Sequence, residues 1–127
     1  MAGVKSAANW VPDRKDIIWI DCSPQAGREM RDIHPFLVLS TRAFNDRTSL
    51  VVGLPMTTAA YNQDNPFALP VGKVRKGRDT VEAYVLCHQP KSFDWRSRAA
   101  KPHSMKRLPD NVFTEACAVL NQIVQLT

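Results

Sequence analysis

The sequence predicts an α+β fold, in which a small, mainly antiparallel sheet is followed by a single C-terminal helix. Short apolar runs separated by turn residues indicate the strands, and one segment near the end of the chain has apolar residues at helical spacing. Gly53 and Pro55, near the end of the third run, indicate a bulge or a sharp bend. Bends of this kind allow a small sheet to curl into a barrel.

The strands follow from the apolar runs taken in order. The first, Asp16–Cys22, has apolar residues on both faces, so we expect it to be covered on both sides. A short bridge at Arg42–Arg47 separates the second and third strands. The predicted strands are Asp16–Cys22, His34–Thr41, Leu50–Met56, a short edge strand at Pro66–Val71, Val81–His88, and a further edge strand at Lys101–Arg107.

The ends of the chain differ in character. Residues 1–15 are predicted to be a flexible lead-in, with Trp10 folding back over the edge of the core. Pro109 suits the first position of a helix over residues 109–126, and Asp110 favours the positive end of its dipole. The interpretation is a single domain over residues 1–127, which is long enough for a modest core without disulfide or metal support.

Composition limits the classes of function. The net charge of +5 fits a polyanionic partner, although a solvated basic surface is the alternative. All but three of the 17 Lys and Arg residues lie between Arg28 and Arg107. The three cysteines have no ligand spacing and indicate buried, reduced thiols of a cytoplasmic protein. No run is long enough to span a membrane, and no metal or cofactor motif is present, so we expect neither a membrane association nor a cofactor.

A polar loop between the first two strands, Ser23–Pro35, is the predicted centre of function. It contains Arg28, Glu29, Arg31 and His34 within a few positions. A loop held between two strands commonly presents catalytic side chains. Carboxylate, guanidinium and imidazole groups together supply a base, a fixed cation and an acid. That set suits cleavage of a phosphodiester by its own 2′-hydroxyl, and DNA lacks this hydroxyl, so the predicted substrate is RNA.

Several motifs also resemble a known family. The segments "DIIWIDCSPQAGRE", "HPFLVLSTRAFN", "LPMTT" and "YVLCHQPKSFDWRSR" are similar, in this order and spacing, to the MazF/PemK toxins of bacterial toxin–antitoxin modules. The resemblance runs from about Val11 to Leu126. It implies a strongly bent SH3-like β-barrel of the CcdB/MazF type with a C-terminal α-helix, assembled as a homodimer. It also implies an endoribonuclease that cuts single-stranded RNA at short sequences, and a cognate antitoxin with an acidic, disordered tail.

The resemblance assigns residues one by one. The family's glutamate falls on Glu29 and its phosphate-facing threonine on Thr57, whereas its arginine before Pro35 is here His34. We hypothesise that Glu29 is the base, Arg28 or Arg31 the cation, and His34 the acid, because an imidazole donates a proton near neutral pH. The family's Asp-Gln pair is here His88-Gln89. The remaining predicted RNA-binding residues are Arg31, Thr58, His88, Gln89, Lys91 and Arg96.

Alternatives stay open at the level of the sequence. Glu29 is also suited to a salt bridge with a neighbouring arginine, and His34 to a structural hydrogen bond. Trp95 with Arg96 and Arg98 offers a base-stacking platform, or Trp95 is a piece of core. The basic connection at Gly72–Thr80 suits a hairpin loop or phosphate contacts. The whole chain also fits a gyrase-directed toxin of the CcdB kind, or a relative that has lost nuclease activity and acts as a binding module.

Overall fold

The computed structural model describes residues 9–23 and 33–127. Along these ranges the chain forms seven strands, two α-helices and one short 3₁₀ helix. The elements are β1 (Asp16–Asp21), β2 (Ile33–Val38), α1 (Arg42–Thr48), β3 (Leu50–Thr57), the 3₁₀ helix (Ala60–Asp64), β4 (Ala68–Lys76), β5 (Asp79–Leu86), β6 (Lys91–Asp94), β7 (Lys101–Arg107) and α2 (Asp110–Val124). The predicted α+β class with a C-terminal helix is confirmed.

All described strand pairs are antiparallel, and β3 lies at the centre. The path of the sheet is β4-β5-β3-β2-β1-β7, and β6 also pairs with β3. One edge of β3 pairs with β2. Its other edge pairs first with β6, from Leu50 to Gly53, and then with β5 at Met56 and Thr57. Because two strands share one edge, the sheet curls, and this gives the bent half-barrel that the resemblance implied.

Gly53 lies at the point where the β3 edge passes from β6 to β5. A Cβ atom built on Gly53 would overlap the carbonyl oxygen of Leu37 and lie 2.6 Å from Cε2 of Phe36. No side chain fits there, so the predicted bend depends on a close backbone approach between β2 and β3. The following Met56 and Leu54 remain fully buried.

Two apolar clusters cover the two faces of the sheet. One includes Ile17 and Leu37 and packs against Phe113 and Ala116 of α2. The other includes Ile18, Ile20 and Phe36 and packs against Trp95. Alternate residues of β1 therefore enter different clusters, which confirms that this strand is covered on both sides.

Several strand bounds differ from the prediction. β4 and β5 continue through Gly72–Thr80, which is a strand pair closed by a turn at Gly77 and Arg78 rather than a loop. Most residues of this stretch are polar and exposed, and Val74 is its only large apolar residue, so no apolar alternation marked it as strand. Lys91–Asp94 forms β6, which is not among the predicted strands, and Asp94 Oδ1 accepts hydrogen bonds from the Arg96 and Ser97 amides in the turn that follows.

The chain ends also differ in detail. Residues 9–15 of the predicted flexible lead-in lie on the sheet, since Val11 is buried and the Trp10 ring meets the Trp95 ring edge-on at 5.9 Å. Pro109 is the N-cap of α2 rather than its first residue. Ile123 and Val124, which the helical spacing placed on the packed face, are more than 40% exposed. None of the described helices is both long and apolar enough to cross a membrane.

We expect Gly53→Ala to lower the free energy of unfolding by about 1–3 kcal/mol or more, because the added methyl group must displace backbone as well as the Phe36 ring. Urea denaturation followed by circular dichroism measures the change. Ser92→Ala, on the exposed surface of the neighbouring β6, is the matched control and should stay within about 0.5 kcal/mol of the parent. Equal midpoints for Gly53→Ala and the parent would show that the close approach is not needed.

Candidate functional site

His34 and Thr57 leave the same end of the β2–β3 ladder. The last pair at this end joins Phe36 to Pro55. His34 lies two residues before Phe36, and Thr57 lies two residues after Pro55. Because side chains alternate with a period of two, both residues lie on the same face of the sheet as that pair. The antiparallel register therefore brings together two predicted site residues that are 23 positions apart in the sequence.

Each of these two side chains is held in a partly buried position. His34 pairs with Ile20 of β1 and is half-buried. Thr57 pairs with Tyr84 of β5, and its hydroxyl accepts a hydrogen bond from the Ala59 amide at 3.2 Å. That bond turns the chain from β3 towards the 3₁₀ helix. Thr58 is next to it, and its hydroxyl oxygen lies 3.3 Å from Nζ of Lys76 in β4.

Arg28, Glu29 and Arg31 lie outside the described residues, which include Ser23 and resume at Ile33. The described residues at the end of β1 do show how the chain is held before this segment. Arg98 Nη1 donates to the carbonyl oxygens of Asp21 at 2.8 Å and Ser23 at 2.7 Å. The Asp21 carboxylate accepts from the amide and the hydroxyl of Ser23 at 2.9 and 2.6 Å.

Arg98, which the sequence offered only as part of a stacking platform, therefore binds the end of β1 instead. Its guanidinium carbon lies 4.8 Å from the centre of the Phe93 ring, so the side chain is braced on β6 while it binds the end of β1. Donation to backbone carbonyls leaves no pattern of residue types at the accepting positions, so the sequence carries no signal for this role. Only the basic and aromatic character of "SFDWRSR" marks the region.

His88, Gln89 and Lys91 lie farther along the sheet. His88 lies in the turn that follows β5, four residues after Tyr84, the partner of Thr57. Its ring is 5.8 Å from the Phe67 ring, and its Nε2 is 3.4 Å from the Gln89 amide nitrogen. Its Nδ1 is buried and has no hydrogen-bond partner among the described residues. Lys91 pairs with Gly53 and is exposed.

Arg96 has a structural set of contacts. Its guanidinium donates to Asp46 Oδ1 at 2.8 Å, to the Asp46 carbonyl at 3.1 Å and to the Ser49 hydroxyl at 2.5 Å, and it lies over the Trp95 ring. Trp95 itself is 6% exposed, and its indole N–H donates to the Asn45 carbonyl at 2.9 Å. Trp95 is therefore core, and the base-stacking alternative for this ring is wrong because no face of it is open to a base.

Cys87 and Cys117 do not form part of this site. Cys87 is fully buried, and desolvation raises the pKa of its thiol to about 11. Burial also raises the pKa of Cys117, so both thiols are protonated and inert at neutral pH. Within residues 9–23 and 33–127, no three His, Cys, Asp or Glu side chains lie together in a group that could hold a metal ion.

Comparison with known proteins gives one consistent result. The model of the "PemK-like, MazF-like toxin of type II toxin-antitoxin system" family matches residues 13–124. The endoribonuclease toxin MazF of Escherichia coli K12 is 34% identical over 73% of this chain and 78% of its own length. The chain belongs to the PemK/MazF toxin family. Endoribonuclease PemK of Escherichia coli is 29% identical over 88% of this chain and 81% of its own length.

The solved structures agree with the family. A MazE-MazF crystal structure from Deinococcus radiodurans superposes with a TM-score of 0.76 at 31% identity, covering 94% of this chain and all of that one. The barrel predicted from the resemblance is thus the fold of a PemK/MazF toxin. The gyrase-directed alternative is not favoured, because the matching model and these relatives are PemK/MazF proteins.

We expect Arg98→Met to reduce RNA cleavage by at least tenfold while costing only about 1–3 kcal/mol of stability, the usual value of a hydrogen bond from a charged donor. The loss should fall on kcat, because the residue positions the chain that leads to Glu29 and does not bind RNA. Single-turnover cleavage and urea denaturation give the two quantities.

Arg107→Met is the matched control, since Arg107 also donates to a backbone carbonyl, that of Arg14, but near the opposite end of β1. It should leave kcat within about twofold of the parent. Equal losses of activity in the two variants would show that general destabilisation, and not the position of the β1 end, accounts for the effect.

Proposed function

We propose that this chain is the toxin of a toxin–antitoxin module and acts as a metal-independent, sequence-specific endoribonuclease on single-stranded RNA. The observation that carries the proposal is the joint position of His34 and Thr57 at one end of the β2–β3 ladder, in a chain that belongs to the PemK/MazF family. Relatives with 34% and 29% identity are named as endoribonucleases. Cleavage of messenger RNA by such an enzyme inhibits translation and growth.

The chemistry assigned to the site uses the substrate's own nucleophile. The 2′-hydroxyl loses its proton to the Glu29 carboxylate and attacks the adjacent phosphorus, and the bond from phosphorus to the 5′-oxygen breaks. His34 donates the proton that the departing 5′-oxygen takes up. Arg28 or Arg31 stabilises the charge on the phosphoryl oxygens, and Thr57 donates a hydrogen bond to one of them. The products are a 2′,3′-cyclic phosphate and a 5′-hydroxyl.

The departures from the family pattern belong to this proposal. His34 replaces the family's arginine, and His88 replaces its aspartate. His34 shares an end of the ladder with Thr57, which supports its role as the acid. His88 lies in the turn after β5, beyond the strand residues that pair with Thr57, so we assign it with Gln89 and Lys91 to RNA binding beyond the scissile bond. The buried, unpartnered Nδ1 of His88 supports a polar ligand at that position.

Incubation of the purified protein with a mixed-sequence single-stranded RNA in excess chelator tests this function. We expect fragments that end in a 2′,3′-cyclic phosphate, with 5′-hydroxyl partners. His34→Ala should lose most of this cleavage while its circular dichroism spectrum and sedimentation coefficient match those of the parent. Added imidazole should restore part of the activity, because it supplies the missing acid.

The outcomes separate the alternatives. A folded parent protein that cleaves no RNA would support a binding module that has lost nuclease activity. Full activity in His34→Ala would remove His34 from the mechanism, and failure of imidazole to rescue an inactive His34→Ala would indicate a structural histidine.

We also propose that the chain forms a homodimer. A groove of about 720 Å³ lies between α2, the residues that follow β2 and the first half of β3. Arg14 is the only charged side chain among the described residues that line it, so it offers little to an acidic peptide and suits a second copy of the same apolar surface. Its apolar lining includes Leu39, Val52, Leu120, Val124 and Leu126. The cytoplasm is the proposed location, since the RNA substrate and free thiols both fit it.

The second proposed partner is a cognate antitoxin whose acidic, disordered tail lies across the basic loops. Support comes from the MazE-MazF structures among the relatives and from the net charge of +5. The tail would cover the site near Arg28, Thr57 and the segment from Thr58 to Asn65, and it would order on binding.

We expect the affinity of this complex to fall steeply between about 50 and 300 mM salt, because charge attraction is screened over this range. Titration calorimetry with a peptide of the antitoxin tail measures it. A peptide with its acidic residues replaced by Asn and Gln is the control and should bind weakly at every salt concentration. An affinity that does not change with salt would contradict a charge-led interface.

A further inference from the structure

We propose that the outer part of the β4–β5 hairpin, residues 72–82, binds the phosphates of RNA that flanks the cleavage site. This proposal rests on the endoribonuclease function and adds a binding surface to it. We call these residues the basic arm. No motif assigned from the sequence includes them, and the residue types of Gly72–Thr80 suit an ordinary hairpin loop and phosphate contacts equally.

The sheet register places Thr57 and one face of the basic arm on the same side of the sheet. Thr57 pairs with Tyr84, and Tyr84 pairs with Pro70 on β4. The next pairs outward on this face are Lys73 with Glu82 and Arg75 with Thr80. Since cross-strand partners share a face, Lys73 and Arg75 lie on the same face of the sheet as Thr57, farther out along the hairpin than Tyr84 and Pro70.

The basic arm extends away from the end of the β2–β3 ladder, where His34 and Thr57 lie. Successive residues on one face of a strand are about 6.6 Å apart, so Lys73 and Arg75 present one cation per step along an extended track. An RNA strand whose scissile phosphate lies at Thr57 would pass along this track. Lys73, Arg75 and Thr80 are all exposed.

The charges of this face are available to a ligand. Lys73 and Arg75 have no hydrogen-bond or ion-pair partner within residues 9–23 and 33–127. Glu82, which faces Lys73, uses its carboxylate to accept the Gly72 amide hydrogen at 2.8 Å. Gly72 sits at a register shift in the ladder with a φ of +126°, so Glu82 holds a bulge at the root of the basic arm.

The opposite face of the basic arm differs. Val74 and Val81 pair across it, and Val74 packs against the cluster beneath α2. Lys76 on this face is opposite Asp79 and reaches the Thr58 hydroxyl. One face therefore ties the basic arm to the body of the protein, and the other presents cations that have no internal role.

An RNA strand fits this surface better than the antitoxin tail. No large hydrophobic side chain of the basic arm is exposed, whereas tight protein interfaces depend on buried apolar or aromatic anchors. Phosphate binding needs only well-placed donors and cations. Such contacts carry no sequence information, so the basic arm should raise affinity for longer RNA without changing the cleavage motif.

The test compares the parent protein with the double variant Lys73→Gln/Arg75→Gln on two RNAs. One RNA contains only the mapped cleavage sequence, and the other is extended on each side by about ten uridines, a length comparable to the footprint of a small single-strand-binding domain. We expect the variant to match the parent on the short RNA within twofold. On the extended RNA its kcat/KM should fall about tenfold at low salt, and the slope of log affinity against log salt should fall by about 1.4, or roughly 0.7 per lost cation.

Lys101→Gln/Lys106→Gln is the matched control, because it removes the same charge from exposed positions of β7, at the other end of the sheet path. It should match the parent on both RNAs. Equal losses in the two double variants would overturn the proposal in favour of net charge, and an unchanged slope in the first variant would overturn it outright.

Two further outcomes are distinct. If the first variant cleaves the extended RNA normally but loses binding to the acidic antitoxin peptide, the basic arm is an antitoxin contact and the proposal is wrong. If the parent protein cleaves neither RNA, the endoribonuclease function itself fails, which the short RNA reveals independently of the basic arm.

Discussion

The close approach of β2 and β3 at Gly53 is the constraint on which the rest of this structure depends. With no side chain at that position, the Leu37 carbonyl and the Phe36 ring come against the β3 backbone. The bend that results lets β6 and β5 follow one another along the same edge of β3. The positions of Tyr84, which pairs with Thr57, and of the β4–β5 hairpin therefore depend on the change of partner from β6 to β5 along β3.

Buried hydrogen bonds hold the segment before β1, helix α1 and the turn after β6 together. Asn45 is fully buried, yet its amide donates to the Pro12 carbonyl at 2.8 Å and its own carbonyl accepts from Trp95. Loss of either partner would leave a polar group unsatisfied in a dry site, which is more costly than the bond itself is stabilising. The lead-in, α1 and the turn after β6 are therefore held in one arrangement, and Arg96 on the outside of that turn is held with them.

The sequence predicted what local patterns encode. The alternation in β1 and the spacing in α2 identified both elements, because each buries a regular set of apolar positions. It did not predict the length of β4 and β5, since Val74 is the only large apolar residue between Lys73 and Thr80 and a single apolar residue gives no period to read. Ile123 and Val124 fit the helical spacing equally well, but spacing does not show where the packing partner ends.

The functional residues divide along the same line. His34 and Thr57 were identifiable by type and by motif, but their joint position depends on a register that only the pairing of β2 with β3 supplies. The contact of Arg98 with the end of β1 was not predicted, because a cation that binds backbone carbonyls needs no complementary residue type. In the sequence Arg96, Arg98 and Lys73 are all cations in polar surroundings. In the structure Arg96 and Arg98 donate hydrogen bonds to protein acceptors, whereas Lys73 makes none with the described residues.

The proposed RNA-binding cations and the proposed catalytic residues should also affect different kinetic constants. A contact made equally with bound substrate and with the transition state lowers KM and leaves kcat unchanged, whereas a group that acts only as charge or protons move raises kcat. Cations on an exposed strand face, distant from the scissile bond, belong to the first kind. In the proposed mechanism His34, which is half-buried and pairs with Ile20 of β1, belongs to the second kind, because it lies at the same end of the β2–β3 ladder as Thr57, the proposed phosphate ligand.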